Sequence, residues 1–491
     1  MKHAFRITFT GVIVIIMDNN YLPSSIFKGI FGHNIDSYLI SLEGWRRGLT
    51  LTWYREQTPL NPFNHTTDTA MKLFSLESKN GKKHFFYRSR GDLVANESTQ
   101  IGISKQETKE VLELAGIRTP EGGTFTIQER ENILKCANDI KYPVVIKPLS
   151  ESMGRGVFTD INSDNELNEI LDHYETSRYK NLILEKHYFG NEYRIYVVGD
   201  EAISCVYRER ASIIGDGEKT IEQLITDKNK LRKKNPNLKN KLIKVDYDIT
   251  RQLTRQGLMT SSIPDKGEQI FLRSTSNLSI GGEPFDVTDE VTDEIKALAV
   301  NSLKAIGNMP HAGVDVIIDP EDATQGVIIE LNPTAGITFH VYPFNGEMRD
   351  VPARIIDYYF PETKDAPKNN FIFNYKEATD ILKDAQYNHL EIAPCPSGDT
   401  ESTTVIMRAK SISDARISRI KRSALICQLN GEIKRLDKGT ISLKLVISGR
   451  SRFELFLKRM KRRYPDYTIG LTHQPAPTEK NLYFYRGITI K

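Results

Sequence analysis

Two apolar segments near the middle of the chain carry oxygen-bearing side chains that could bind a divalent cation. Asp315 lies within GVDVIID, and Glu330 and Asn332 end GVIIELN. A carboxylate in an apolar strand is costly unless it is paired or bound to a metal. Oxygen ligands suit Mg²⁺ that is shared with substrate phosphates. We interpret the three residues as a metal site. The alternative, carboxylates merely at strand edges, is weakened because Glu330 directly follows GVII.

A lysine and a small-residue loop form a second candidate group. Lys147 ends the apolar strand VVIKP, and the loop SESMGRG follows at 150–156. Glycines allow backbone N–H groups to close over phosphate oxygens, and a lysine adds positive charge. Taken alone, the segment fits a solvated lysine beside a surface turn equally well.

The next candidate is the segment LILEKHYFGNEYRIYVV at 182–198. A strand that leads into an exposed turn could offer backbone groups to adenine at 185–187, and Glu192 could bind ribose hydroxyls. In isolation, a hairpin with a charged tip is the favoured interpretation.

These residues must be positioned by the elements around them. Over 101–362, helical and strand patterns alternate and are separated at regular intervals by turn residues. Predicted helices cover 104–117, 126–139 and 289–307, and predicted strands cover the apolar segments between them. Ser104 and Glu107 have the spacing of a capping box. The pattern predicts antiparallel β-structure with flanking helices.

The rest of the chain divides into three parts. Residues 1–100 read as a small α/β region, with a helix at 36–48 and strands at 49–54 and 83–88. We interpret Phe5–Met17 as a buried strand, or as the result of a start codon placed too far upstream, rather than as a signal peptide. Residues 363–403 lack sustained periodicity and are predicted to be a linker with one helix. Residues 404–491 read as strand, helix, two strands, helix and strand, the split βαβ or ferredoxin-like order.

Composition places limits on the class of protein. The 491 residues suggest about three domains, and no apolar run is long enough to cross a bilayer, which takes about 18 residues. The four isolated cysteines argue against a disulfide framework or zinc site and indicate a cytoplasmic protein. Net charge is +4, yet residues 404–463 hold 17 Lys and Arg against 4 Asp and Glu. That basic segment needs its own explanation.

Several ordered motifs of 101–362 resemble the ATP-grasp domains of cyanophycin synthetases and bifunctional glutathione synthetases. They are SKQETKEVLELAGIRTPEG, YPVVIKP, GNEYRIYVV, RQGLMTSSIPDKGEQIFLRSTSNLSIGGEPFDVTDEV, GVDVI and IIELNPTAG. Each motif is loose alone, but the set in this order is specific. The resemblance implies an α+β or α/β multidomain protein with an ATP-grasp fold. It also implies ATP and two Mg²⁺ or Mn²⁺ ions as cofactors.

The resemblance also implies a role for each matching residue. Lys105 and Lys147 would hold the α- and β-phosphates, under a mobile loop containing Ser152, Met153 and Gly154. Glu185, Lys186 and His187 would face adenine, and Glu192 the ribose. Asp315, Glu330 and Asn332 would bind the metal ions. Arg273 and Asn277 would reach the transferred γ-phosphate, where positive charge stabilises the transition state.

The acceptor side resembles the family less closely. Arg208 and Arg210 lie where cyanophycin synthetases have a proline-bearing segment, and both are suited to a substrate carboxylate. The ending NPTAGITFHVYP also departs from the family pattern, and we predict that His340 or Arg349 lines the pocket. The Mur-ligase-like module and the glutamate–cysteine ligase domain of those relatives have no counterpart here, so we expect one ligation rather than two.

The segment 404–491 resembles an acylphosphatase whose activity is lost. The phosphate-cradle position reads KSISDARISR without glycines, and Arg435 stands where we align the catalytic asparagine. Its positive charge fits a solvated face, an acidic polymer, a carrier peptide or RNA. Because its central strands lack stacking aromatics, an acidic partner is slightly favoured over nucleic acid.

Three functions remain open. The first is an ATP-dependent ligase that joins amino acids or short peptides through an acyl phosphate. The second is a ligase that adds amino acids to a protein terminus, with the basic domain as its docking module. The third is a degenerate ATP-grasp scaffold that binds nucleic acid, which the intact lysines and metal ligands argue against. We expect a homo-oligomer without membrane association.

Overall fold

The structure is a computed structural model. It describes residues 22–474 and 488–490, except for gaps at 23–25, 28, 56–57, 65, 67–70, 150–155, 274–275, 367–370, 374, 376–378, 380–381, 383–387, 393, 396–400, 428 and 448–449. The predicted strand at Phe5–Met17 therefore lies outside the described residues. No helix among the described residues is long and apolar enough to cross a membrane.

Helices and strands alternate along the chain. The helices are α1 Asn34–Arg46, α2 Asn96–Ile103, α3 Lys105–Leu114, α4 Arg130–Ile140, α5 Asp164–Glu175, α6 Ile221–Lys234, α7 Tyr247–Arg255, α8 Asp293–Ile306, α9 Thr338–Val341, α10 Val351–Tyr359, α11 Asp414–Ile426 and α12 Arg450–Arg463. The strands are β1 Thr50–Tyr54, β2 Leu73–Glu77, β3 Lys83–Tyr87, β4 Arg90–Gly91, β5 Gly122–Thr126, β6 Val144–Pro148, β7 Phe158–Ile161, β8 Asn181–Lys186, β9 Asn191–Val198, β10 Glu201–Glu209, β11 Ser212–Ile214, β12 Gln269–Phe271, β13 Glu283–Asp286, β14 His311–Ile318, β15 Gly326–Asn332, β16 His389–Glu391, β17 Glu401–Arg408, β18 Asn430–Arg435, β19 Thr440–Ile447, β20 Thr468–Gln474 and β21 Ile488–Ile490.

The chain divides into two compact units. The first is built mainly from residues 93–351, and the second from 29–92 and 352–491. The predicted division into 1–100, 101–362, 363–403 and 404–491 therefore differs from the observed one, because 29–92 group with C-terminal residues.

The central sheet of the first unit is antiparallel, in the order β13-β10-β9-β14-β15. Helix α8 packs on one face of it. Side chains alternate along each strand, so β9 turns Ile195 and Val197 toward α8 while Arg194 and Tyr196 point to the other face. The predicted strands over 313–319 and 326–332 are confirmed, as is the hairpin of β9 and β10. One face of this sheet is thus apolar and the other is polar.

A second antiparallel sheet, in the order β5-β8-β6-β7, lies in the same unit. Helices α4 and α5 cover it with buried residues such as Ile133 and Leu167. The predicted helix over 126–139 begins late, at Arg130, because Thr126 still belongs to β5 and donates its N–H to the Glu129 carboxylate at 2.8 Å. The predicted N-cap at Ser104 is confirmed, since its hydroxyl accepts from Glu107 N.

A third substructure of the first unit contains α6, α7 and the two-stranded sheet β11-β12. A buried ion cluster connects it to β13. The fully buried Arg232 donates to the carbonyl oxygens of Lys241 and Gly281 and to the Glu283 carboxylate, which also binds Lys228 at 2.8 Å. Burial raises the pKa of Glu283, although both cations oppose the shift. These contacts fix the turn that enters β13.

The second unit contains a sheet in the order β16-β1-β2-β3-β4. Strand β16 comes from the predicted linker and pairs with β1. Phe373, from the same predicted linker, is 1% exposed and contacts the rings of Tyr38 and Trp45. The linker prediction is therefore wrong for these residues. Their few aromatic side chains are buried by distant strands, which leaves no local periodicity to detect.

The C-terminal part of the second unit has the element order β17-α11-β18-β19-α12-β20. Its sheet has the order β20-β17-β19-β18-β21. The last strand was predicted over 481–490, but Thr468–Gln474 supplies the edge strand beside β17, and Ile488–Ile490 pairs in parallel with β18. Gly470 breaks the β-pattern of β20, which explains why the sequence does not reveal it.

We predict that Arg232→Met destabilises the protein by about 3–5 kcal/mol, because Glu283 and several carbonyl groups would lose their buried partner. Arg232→Lys should recover part of this loss, since it keeps the charge. Urea denaturation followed by circular dichroism measures both. Arg255→Met, at an exposed position, is the matched control. Equal stability of Arg232→Met and the control would contradict the structural role of the cluster.

Candidate active site

The three predicted metal ligands come together on the polar face of the central sheet. Asp315 on β14 lies directly across from Glu330 on β15, and Asn332 lies across from Gly313. Directly opposed residues of an antiparallel pair have Cβ atoms about 5 Å apart on the same face. The register of these two strands therefore assembles Asp315, Glu330 and Asn332 side by side in one row.

Arg194 is a member of this row that the sequence analysis did not identify. It lies on β9 directly across from Asp315, on the side away from Glu330. Its guanidinium binds both carboxylate oxygens of Asp315, with Nη2 to Oδ2 at 2.5 Å. Burial lowers the pKa of Arg194, but the charges of Asp315 and Glu330 outweigh that effect and raise it. The pair is nearly enclosed, as Asp315 is only 4% exposed.

Gly313 leaves the space that Arg194 occupies. A Cβ atom at residue 313 would lie 3.0 Å from Arg194 Cδ and 2.7 Å from Ala335 Cβ. Contacts of this length require a neighbour to move, so a side chain here would displace the guanidinium from Asp315. A glycine at position 313 therefore allows Arg194 to pack against β14 and reach Asp315.

The amide of Asn332 indicates that the row is built for a ligand. Its Nδ2 atom is buried and has no hydrogen-bond partner in the described part of the chain. An unpaired buried amide group costs about 1–3 kcal/mol, and amide nitrogen and oxygen are assigned by their partners. Among the described residues, no three His, Cys, Asp or Glu side chains cluster as a metal site. Two carboxylates and one amide are nevertheless an oxygen set that fits Mg²⁺ or Mn²⁺ completed by phosphates.

Lys147 and Glu185 form an ion pair on the second sheet. Lys147 Nζ lies 2.5 Å from Glu185 Oε2, and both side chains are about nine-tenths buried. The Glu185 side chain holds the lysine that is predicted to bind phosphate, and the predicted adenine contact of the Glu185 backbone stays a prediction. The ion pair fixes the position of Lys147. Lys105 is the first residue of α3.

In the turn that is predicted to bind adenine, two backbone N–H groups already have hydrogen-bond partners in the protein. The N–H groups of Lys186 and His187 donate to the carbonyl oxygens of Glu121 and Pro143. The Lys186 ammonium donates to Lys141 O at 2.6 Å. Burial lowers the pKa of His187. An adenine contact at this turn would therefore use groups other than these two N–H donors.

A short backbone span connects the two sheets. Arg118 O accepts from Ile328 N on β15, and Glu121 O accepts from Lys186 N on β8. Three residues of extended chain reach at most about 11 Å. Backbone hydrogen bonds to residues 118 and 121 therefore tie β15 and β8 to the same short segment.

The predicted acceptor residues separate into different places. Arg208 forms an ion pair with Glu192, which was predicted to bind ribose, while Arg210 lies over the Phe271 ring at 4.0 Å. His340 is fully buried and its Nδ1 lies 2.8 Å from Ser204 Oγ.

Arg349 lies in a groove of its own. It binds Asp286 and Asp289, each at 2.7 Å. Burial alone would lower the pKa of Arg349. The two hydrogen-bonded carboxylates together have the larger effect, so the pKa is raised. The groove has a volume of about 650 Å³ and is lined mainly by β10 and α8. The two carboxylates that bind Arg349 thus lie at and just after the end of β13, and not in the row of Asp315 and Glu330.

The two predicted catalytic residues have local structural contacts. Arg273 donates to Asp246 at 2.6 Å and to Ile280 O at 2.8 Å. The side chain of Asn277 accepts from Ser279 N and caps a short 3₁₀ turn. Asp246 in turn caps helix α7. Arg273 therefore holds this segment together, and its contact with a γ-phosphate stays a prediction. Ser152, Met153 and Gly154 lie outside the described residues.

Comparison with known proteins finds relatives for part of the chain. Residues 104–212 match the family "Carbamoyl-phosphate synthase L chain, ATP binding domain". The chain is 38% identical over 272 residues to cyanophycin synthetase from Crocosphaera subtropica, covering 54% of this chain and 31% of that protein. This part of the chain is similar to an ATP-binding domain found in carbamoyl-phosphate synthases and to part of a cyanophycin synthetase. A glutathione biosynthesis bifunctional protein from Clostridium perfringens is 35% identical over 266 residues, covering 52% of this chain and 34% of its own length.

The chain is also similar to a solved structure, a bifunctional glutathione synthetase from Pasteurella multocida. The identity is 28%, with coverage of 59% of this chain and 41% of the other, and the TM-score is 0.49. The chain spans about a third of the length of the curated relatives that it matches.

We predict that Arg194→Met destabilises the metal-free protein by about 3–5 kcal/mol, because Asp315 would keep a buried charge without its partner. The double variant Arg194→Met, Asp315→Asn should recover most of this loss, since both charges are then absent. Urea denaturation of the two variants and the parent measures the effect. A double variant less stable than Arg194→Met would contradict the pairing, and Arg255→Met again serves as the control.

Proposed function

We propose that this protein is an ATP-dependent carboxylate–amine ligase. It would transfer the γ-phosphoryl group of ATP to a substrate carboxylate, release ADP, and join the acyl phosphate to an amine with loss of phosphate. The observation that carries the proposal is the row of Arg194, Asp315 and Glu330, with the buried amide of Asn332 beside it, inside an ATP-grasp domain. Related sequences are named cyanophycin synthetase and glutathione biosynthesis bifunctional protein.

The residues divide the work of this reaction. Asp315, Glu330 and Asn332 would hold one or two Mg²⁺ or Mn²⁺ ions, which supply positive charge to the phosphates. Lys147, fixed by Glu185, and Lys105 would bind the α- and β-phosphates. The loop with Ser152, Met153 and Gly154 would cover the nucleotide and exclude water, which hydrolyses acyl phosphates.

Arg194 adds a role that follows from its geometry. Its guanidinium neutralises Asp315 in the absence of a cation. A bound divalent ion would take over that neutralisation, which frees guanidinium donors on the same face for a phosphoryl oxygen or a substrate carboxylate. Arg208 and Arg210, at and just after the end of β10, would face a substrate carboxylate, and Arg273 with Asn277 would order their own segment; the fully buried His340 is left without a substrate role.

For the substrates, we propose amino acids or short peptides. A ligase that adds amino acids to a protein terminus is the second candidate, and the basic segment 404–463 favours it, since an enzyme acting on free amino acids has no need for such a surface. For the segment 404–491 we propose an acylphosphatase-like fold without that activity: Arg435 binds Ile412 O at 2.6 Å and Asp414, which fills the predicted phosphate position. A cytoplasmic homo-oligomer remains our expectation.

We predict that the protein with ATP, Mg²⁺, hydroxylamine and a pool of amino acids and dipeptides forms hydroxamate and ADP. Each substrate tested singly for stimulated phosphate release would then identify the activated acid. Asp315→Asn combined with Glu330→Gln should lower the rate at least about a hundredfold, a loss typical of electrostatic groups in catalysis. Glu321→Gln, in an exposed loop, is the control for charge removal.

The same assay can refute the ligase proposal. Absence of hydroxamate with every carboxylate, together with unchanged ATP affinity in the Asp315→Asn, Glu330→Gln variant, would leave the row without a role in ATP chemistry. Nucleic acid that copurifies with the protein and is released by salt would then favour the scaffold function.

A further inference from the structure

Helices α11 and α12 lie next to each other on one face of the C-terminal sheet. Apolar residues three or four apart attach each helix to the sheet, namely Ile417, Ile420 and Ala424 on α11 and Phe453, Phe456 and Met460 on α12. The Arg459 guanidinium of α12 lies 3.9 Å from the Cys427 sulfur at the end of α11. The outward sides of the two helices therefore form one continuous surface.

This surface carries a concentration of unbalanced positive charge. We call it the basic face and define it by seven exposed residues: Arg419, Arg422, Arg452, Lys458, Lys461, Arg462 and Arg463. Within the described ranges, none of the seven forms an ion pair, whereas Arg450 pairs with Glu454 and Asp414 pairs with Arg435. Like charges at this density repel one another and attract polyanions.

Two large aliphatic side chains are exposed on the same helices. Ile426 is 59% exposed and Leu455 is 50% exposed. By contrast, the aromatic rings are withdrawn: Phe453 and Phe456 are buried, and Tyr467 is half-buried beneath the Arg416 guanidinium. Single-stranded nucleic acids bind largely through base stacking on exposed rings. The described part of the basic face offers cations and aliphatic groups, and no exposed ring.

We propose that the basic face binds an acidic polypeptide segment in which carboxylates alternate with aliphatic side chains. Arginine forks bind carboxylates with two hydrogen bonds, and Leu455 and Ile426 contact aliphatic side chains that a phosphate backbone lacks. The choice of this partner rests on the proposed function, because a carboxylate–amine ligase acts on a chain that bears carboxylates and amines. The segment is either the acceptor itself or a carrier for it.

Fluorescence anisotropy with the full-length protein tests this proposal. The probes are a fluorescein-labelled peptide of repeating Glu-Glu-Leu and a labelled uridine oligonucleotide of equal charge. We expect the peptide to bind more tightly. Lys458→Gln combined with Arg462→Gln should weaken peptide binding about fivefold, as two exposed ion pairs imply. Leu455→Ser should weaken peptide binding and leave oligonucleotide binding unchanged.

The control removes the same charge elsewhere. Lys233→Gln combined with Lys234→Gln changes two exposed cations at the end of α6 and should leave peptide binding as it was. Equal or tighter binding of the oligonucleotide would overturn the proposal, as would unchanged peptide affinity after loss of Lys458 and Arg462. The assay contains no ATP and reads no ligation, so its failure is distinct from failure of the hydroxamate test.

Discussion

The structure of the first unit depends on how it compensates the buried carboxylate of Asp315 and the half-buried carboxylate of Glu330 beside it. Asp315 and Glu330 lie across from each other between adjacent strands, where like charges at about 5 Å repel strongly and water is scarce. Arg194 supplies the compensation that the chain itself can provide, and it does so for Asp315 only. Two negative charges against one positive charge is an arrangement that favours a further cation.

The surrounding fold can be understood as support for that row. Helix α8 and its apolar contacts fix one face of the central sheet, which leaves the other face free to be polar. Gly313 makes room for Arg194, and the backbone span 118–121 links the lysine-bearing sheet to Ile328 of β15. Elsewhere the same rule holds: Glu283 is held by Arg232 and Lys228, and Arg349 by Asp286 and Asp289. Buried charges are paired throughout these described clusters, as their desolvation requires.

Much of this site could be predicted from the sequence because the informative residues interrupt apolar strands. Asp315 and Glu330 break runs of valine and isoleucine, and their strands were located to within about two residues. Arg194 was missed for the opposite reason. In YRIYVV it occupies a position where an alternating strand is expected to have a solvent-exposed polar side chain, and only the register between β9 and β14 reveals its partner. The contacts of Arg273 with Asp246 and of Arg349 with Asp286 are equally non-local. So is the burial of Phe373, which made a linker prediction wrong.

The most direct test of this account is anomalous diffraction from crystals grown with Mn²⁺ and a non-hydrolysable ATP analogue. Manganese should lie among Asp315, Glu330 and Asn332 and contact the analogue's phosphates, with the Lys147 ammonium on those phosphates and Arg194 no longer bound to Asp315 through both oxygens. Manganese and nucleotide located away from this face, with the Arg194–Asp315 pair intact and Asn332 still without a partner, would contradict it.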